Sequence, residues 1–135
     1  VFRGLVDYAK NTHVNGHALA DEPWVRDRIG RLAVELEGAE LLQDMTASKI
    51  AAGEKLRMEA SIVKAFCTEF ESRLAAFAHD LMGPVAMLTQ ESQPDPFLGA
   101  MNFLRRLNVA MTIVGGTNEI QRNIIALQGL GLPRD

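Results

Sequence analysis

One run of residues restricts the fold more than any other. Val63, Cys67, Phe70, Leu74, Phe77 and Leu81 recur at alternating spacings of four and three. Such spacing returns to one side of a helix every two turns, so the six form an apolar seam suited to a partner helix. Lys64, Glu69, Glu71 and Arg73 fall off the seam and are expected at the surface. Gly83-Pro84 closes the run, because glycine accepts a left-handed cap and proline cannot continue a helix.

The other segments read as helices too. Phe2, Leu5, Val6 and Ala9 share one face of a first helix ending near Asn11, and Thr12 to Ala20 reads as a loop around Asn15-Gly16. Asp21 is placed to cap a second helix, and Pro23 falls in its first turn, where the missing N–H costs nothing. Val25, Ile29, Leu32 and Leu36 form its stripe, continued by Leu42 and Met45, with Gly53 as the stop. A helix reaching Ala52 would be ~45 Å long at 1.5 Å per residue. The polar stretch Thr89 to Pro96 is expected to be a loop open to motion and proteolysis. Leu98, Met101, Leu104, Met111 and Val114 mark a fourth helix. Asn118 is then expected to cap a fifth, with Gln121 reaching back at capping-box spacing. No segment alternates with period two and no internal repeat is present. The expected fold is all-α, an up-and-down four-helix bundle of long helices with a short additional C-terminal helix.

At 135 residues the chain suffices for one core, so residues 1–135 are expected to form a single domain. The sequence opens at Val1 inside an amphipathic pattern, and the expectation is a C-terminal fragment of a longer multi-domain protein. A formal net charge of −3 with no basic stripe gives no support to nucleic-acid binding. No apolar run approaches the ~18 residues of a membrane span. The lone Cys67 excludes an internal disulfide framework and suggests a reducing, cytoplasmic setting.

Candidate chemistry narrows quickly. His13 and His17 sit four apart, but in a loop and without a third ligand, so no metal is expected there. A di-iron bundle would need Glu three residues before His79, and Ala76 holds that place. Cys67 is expected to be a small buried hydrophobe on the seam. Met82, Met87, Met101 and Met111 read as core filler, Arg105-Arg106 as solvated or subunit-facing, and Glu35, Glu37 and Glu40 as exposed charges. Gly115-Gly116-Thr117 is different. Two glycines let backbone approach a neighbour closely, and the unpaired N–H groups of the following helix start suit a phosphate or another anion.

That same region carries a family likeness. Thr117-Asn118-Glu119-Ile120-Gln121-Arg122-Asn123-Ile124-Ile125-Ala126, followed by Leu130-Gly131-Leu132-Pro133-Arg134, resembles the C-terminal end of flavin-dependent acyl-CoA dehydrogenases. A weaker likeness covers Leu19 to Arg28 and Glu59 to Lys64. The resemblance implies an α-helical C-terminal domain of an enzyme that removes hydrogens from Cα and Cβ of an acyl-CoA. In that chemistry a carboxylate takes the α-proton and FAD accepts the hydride. It also implies a homo- or hetero-oligomer (dimer or tetramer), because the flavin lies where subunits meet, and an electron acceptor such as an electron-transfer flavoprotein. On the family's pattern Thr117 and Glu119 approach the FAD, and Gly116 permits close backbone approach.

The departures from the pattern matter as much. Many members carry the catalytic Glu immediately before Gly-Thr, where this chain has Gly115. Others keep the base on an earlier helix, which would precede Val1, so no catalytic residue is expected here and the isolated domain should not turn over substrate. Tyr8-Ala9 is followed by Thr12 where the family has an Arg that reaches the FAD diphosphate, and by Asn15 in place of Phe. Asp80 stands where a Gln often contacts FAD, and a carboxylate beside a diphosphate opposes binding. Two readings follow. Either the domain supplies one wall of an FAD site together with subunit contacts, or it belongs to a non-catalytic structural subunit with reduced FAD binding. The long apolar stripes predict self-association of the isolated domain on either reading.

Overall fold

The seam at 63–81 lies on the helix that every other helix of the bundle touches. In a computed structural model describing residues 1–88 and 96–134, α1 spans Phe2–Asn11, α2 Pro23–Ala51, α3 Glu59–Met82, α4 Pro96–Met111 and α5 Asn118–Ile124. A π-helical turn, Ile125–Gly129, continues α5. The expected loop at Thr89 to Asp95 lies outside the described residues, and Pro96 opens α4.

Pairings between α2 and α3 run in opposite directions along the two helices. Lys49 meets Glu59, Gln43 meets Cys67, and Arg73 donates to Glu35 at 2.8 Å. The two helices are therefore antiparallel, as the up-and-down reading expects. Glu35 is thereby paired and not a free surface charge. Pro23 holds the first position of α2 as expected, but Asp21 does not cap it. Leu19–Asp21 forms a 3-10 turn, and Glu22 precedes the helix without a side-chain cap bond.

The loop read at Thr12 to Ala20 contains a small antiparallel hairpin, β1 (His13–Val14) with β2 (His17–Ala18). Asn15 and Gly16 make its turn with φ of 53° and 86°. Left-handed backbone at both turn positions is what a two-residue hairpin needs, and Asn-Gly supplies it at low cost. Two residues per strand are too few to show alternation in sequence.

The core gathers Leu5 of α1, Val25 and Leu32 of α2, Phe70, Leu74 and Phe77 of α3, and Met101 of α4. Trp24 meets Phe77 edge-on at a centroid distance of 6.1 Å. The seam of α3 is buried only from Phe70 onward. In the N-terminal half, Val63 and Cys67 are half-buried, and Ser61, Ala65 and Thr68 take the buried positions. A strict seven-residue repeat drifts by ~20° per heptad on a straight helix, so one end of the seam rotates off the contact. Cys67 is thus not the buried hydrophobe expected. Its Sγ accepts a hydrogen bond from Gln43, and partial burial pushes the thiol pKa up, which disfavours the reactive thiolate.

The fourth helix likewise buries less than its pattern promised. Leu98 and Met101 are buried, whereas Met111 is exposed and Val114, also exposed, lies beyond the helix end. Met87 is exposed as well, so only Met82 and Met101 of the four methionines fill the core. Phe103, Leu107, Met111 and Val114 form an uncovered apolar stripe. Among the described residues, no helix is long and apolar enough to cross a membrane.

Candidate functional site

Between α4 and α5 the backbone reverses over Gly115 and Gly116, at φ of 73° and 93°. Both lie in the left-handed region that L side chains rarely adopt. A Cβ on Gly116 would also fall 2.9 Å from Gln121 Nε2. Gln121 needs that space: its Nε2 donates to the carbonyl oxygens of Gly115 at 2.9 Å and Gly116 at 3.3 Å. The expected back-reach of Gln121 is present, but it closes the glycine carbonyls and not a cap N–H. On the other side, a Cβ on Gly115 would meet nothing within 4 Å.

The cap sits one residue earlier than the sequence suggested. Thr117 is the N-cap of α5, its Oγ1 accepting from the N–H of Ile120 at 3.4 Å. Asn118 opens the helix and turns inward, 5% exposed. Lys64 Nζ donates to its Oδ1 at 2.6 Å. Its Nδ2 donates to Thr68 Oγ1 at 3.1 Å and to Glu69 Oε1 at 3.2 Å. Arg122, one turn further along α5, pairs with the same Glu69 oxygen. Lys64 and Glu69, read as surface residues off the seam, therefore tie α5 to α3.

This arrangement corrects the anion argument. The N–H of Asn118 donates to Thr112 O at 3.2 Å and that of Ile120 to Thr117 Oγ1 at 3.4 Å. The open fan of donors expected at a helix start is largely used internally, and α5 has only seven residues. What the turn presents is side-chain chemistry. Thr117, Glu119 and Arg122 face an open cleft of about 450 Å³, shared with Ser72 and Arg73 of α3 and with Ile113. The Glu119 carboxyl is held below its ordinary pKa by its own backbone N–H and by the Thr117 hydroxyl, with smaller help from the charges of Arg122 and Lys64. A carboxylate so stabilised is an acceptor of hydrogen bonds and a poor proton acceptor near neutral pH.

Of the three residues singled out for cofactor contact, Thr117 and Glu119 come together on the cleft. Gly116 lies behind them against Gln121. Asp80 and Thr12 are elsewhere. Asp80 lines a cavity of about 520 Å³ with Arg105 and Arg106, so its negative charge is accompanied by two guanidinium groups. Thr12 borders a smaller cleft beside Tyr8. Among the described residues, no three His, Cys, Asp or Glu side chains converge as metal ligands.

Comparison with known proteins shows which family has this fold. Residues 1–130 match the family described as acyl-CoA dehydrogenase, C-terminal domain, and the chain belongs to that family. It is 31% identical to acyl-CoA dehydrogenase FadE26 of Mycobacterium tuberculosis, over 98% of this chain and 34% of the relative. It superposes on a chain of the ChsE4-ChsE5 complex from Mycobacterium tuberculosis with a TM-score of 0.88 at 31% identity, covering 99% of this chain and 35% of that one. An FAD complex of PigA is matched at 26% identity and a TM-score of 0.80, over 97% of this chain and 32% of that chain. The chain spans about a third of the length of these relatives.

Proposed function

We propose that this chain is the C-terminal domain of an FAD-dependent acyl-CoA dehydrogenase, and that Gly116, Thr117 and Glu119 form one wall of its flavin site. One observation carries the reading. The two side chains that the family likeness assigns to flavin contact, Thr117 and Glu119, border a single cleft at a turn where Gly115 leaves open space.

The residues fit part of a flavin dinucleotide. Such a molecule offers ribityl and ribose hydroxyls and a ring N–H. Thr117 can donate to or accept from them, and the ionised Glu119 can accept from them. The diphosphate is less well served, because the backbone N–H groups are occupied and both Arg73 and Arg122 are paired with carboxylates. A second wall from another domain or subunit has to complete the site. When bound, FAD would accept the hydride removed from Cβ of an acyl-CoA. This chain's share is to bind and orient. Gly115 has no side chain to take the α-proton, so the base comes from elsewhere in the full-length enzyme.

Subunit contact is the second part of the role. The stripe Phe103, Leu107, Met111 and Val114 is apolar and uncovered, as a face built for another chain or domain would be. A homo- or hetero-oligomer (dimer or tetramer) with an electron-transfer flavoprotein as electron acceptor fits this reading.

Thr12 and Asn15, which stand where the family pattern has Arg and Phe, and Asp80, which stands where it often has Gln, favour one alternative, a non-catalytic subunit of a hetero-oligomeric dehydrogenase. The similarity to a chain of the ChsE4-ChsE5 complex, built from two different chains, points the same way. Flavin stoichiometry separates the two. The full-length protein, purified with its partner subunits, should show flavin absorbance that bleaches on adding an acyl-CoA. One FAD per chain supports the first reading and one per pair of unlike chains supports the second. Absence of flavin from the assembled complex would sink both.

A further inference from the structure

The turn that carries Thr117 and Glu119 is closed at its neck by a residue that does not line the cleft. Lys64 Nζ reaches across from α3 and donates to Thr112 O at 3.1 Å, just past the end of α4. The same ammonium donates to Asn118 Oδ1 at 2.6 Å, at the start of α5. Thr112 O also accepts the N–H of Asn118 at 3.2 Å, so three groups meet where the turn leaves and rejoins the bundle. A cation beside the last carbonyls of a helix is favoured by the partial negative charge there.

Asn118 is fixed on both faces of its amide. Its oxygen takes the Lys64 ammonium, and its nitrogen gives to Thr68 and Glu69. Rotating the amide by half a turn would set its nitrogen against the Lys64 ammonium and its oxygen against the Glu69 carboxylate, losing both of those bonds. Asn118 sits between Thr117 and Glu119 in the chain, so fixing it fixes where both neighbours point.

We propose that Lys64 is a positioning residue for the flavin site: by bridging Thr112 and Asn118 it holds the Gly115–Glu119 turn in the geometry that Thr117 and Glu119 need to contact FAD. The inference rests on the flavin-wall reading of that turn. Without the ammonium, Thr112 and Asn118 lose a charge-assisted partner that pulls both toward α3. The Asn118 bonds to Thr68 and Glu69 and the Arg122–Glu69 pair still hold α5 to α3, but nothing then links Thr112, where the turn begins, to the same anchor.

The test uses the full-length protein assembled with its partner subunits, stripped of flavin and titrated with FAD. Lys64→Met should weaken FAD binding about tenfold, the scale of one lost charge-assisted hydrogen bond. Lys64→Arg, which keeps the charge and a donor, should return most of the affinity. Helical circular dichroism and assembly size should match the wild type in both variants. Thr117→Ala is the control for the underlying reading. Weakened binding in Thr117→Ala with unchanged affinity in Lys64→Met overturns the positioning role and leaves the flavin wall intact. Unchanged affinity in both overturns the flavin wall and the inference with it. Should Lys64→Met fail to assemble, Lys64→Gln keeps a donor without the charge and answers to the same criterion.

Discussion

Around the C-terminal half of α3, Leu74, Phe77 and Met82 pack among Leu5, Val25, Leu32 and Met101 in one apolar cluster. Around its N-terminal half the buried side chains include Ser61, Thr68, Asn118 and Gln121, and the last three are held by named hydrogen bonds. The two halves do different work. Apolar packing is non-directional and can settle into many similar arrangements, so it stabilises the bundle without dictating where one turn must lie. A buried polar network has few acceptable geometries, since each unpaired member is costly. The polar half is the one beside the cleft, where position matters most.

That contrast can be broken at several points, and the largest effect is expected in the apolar half. Leu74 is 3% exposed, and Leu74→Ala should cost about 2–5 kcal/mol in chemical denaturation. Where the variant still folds, FAD affinity should change little, because the cleft is not built on that side chain. A variant with normal stability would show the core to be looser than described. Asn118→Ala should cost less, about 1–3 kcal/mol, by leaving Lys64, Thr68 and Glu69 short of partners. Here the flavin should be lost out of proportion to stability. Equal losses of the two would erase the distinction between the halves.

Asn108 sharpens the point from the opposite side. It is 1% exposed, and neither Nδ2 nor Oδ1 finds a hydrogen-bond partner among the described residues. A buried polar group outside any network costs stability and specifies nothing, so Asn108→Leu should stabilise the domain by about 1–2 kcal/mol in the same denaturation experiment. Destabilisation by this change would mean that the amide is satisfied in solution. The smallest effect concerns the surface pair near the α2–α3 connection. Lys49 first, then the backbone N–H groups of Glu59, Arg57 and Met58, lower the Glu59 pKa from 4.5 to about 2. A carboxyl depressed on folding contributes stability above its unfolded pKa and loses it as pH falls through the folded value. Wild type should therefore exceed Glu59→Gln in melting temperature above about pH 4.5 and converge with it toward about pH 2. A constant difference across that window would contradict the assignment.

The sequence made the apolar half readable and concealed much of the polar half. Pro23, Gly53 and Gly83 sit at the helix ends they suggested, and Phe70 through Leu81 are buried as their spacing required. Thr117 and Glu119 were found through family likeness and do border one cleft. Lys64 and Glu69 were read as surface charges because hydrophobic periodicity carries no information about polar partners some 50 residues away. Ser61 and Thr68 gave no hydrophobic signal at all, although they occupy the buried line that Val63 and Cys67 were expected to hold. Asn118 and Thr117 are both good cap residues, and the inward bonds of Asn118 with Lys64, Thr68 and Glu69 decide between them.

The central claim is that the Gly115–Glu119 turn faces the flavin. A structure of the full-length protein with its partner subunits and FAD tests it most directly. The account predicts a flavin oxygen or nitrogen within hydrogen-bond reach, about 3 Å, of Thr117 Oγ1 or the Glu119 carboxylate. Flavin bound against another face of the domain, with protein filling the cleft beside Thr117, would contradict it.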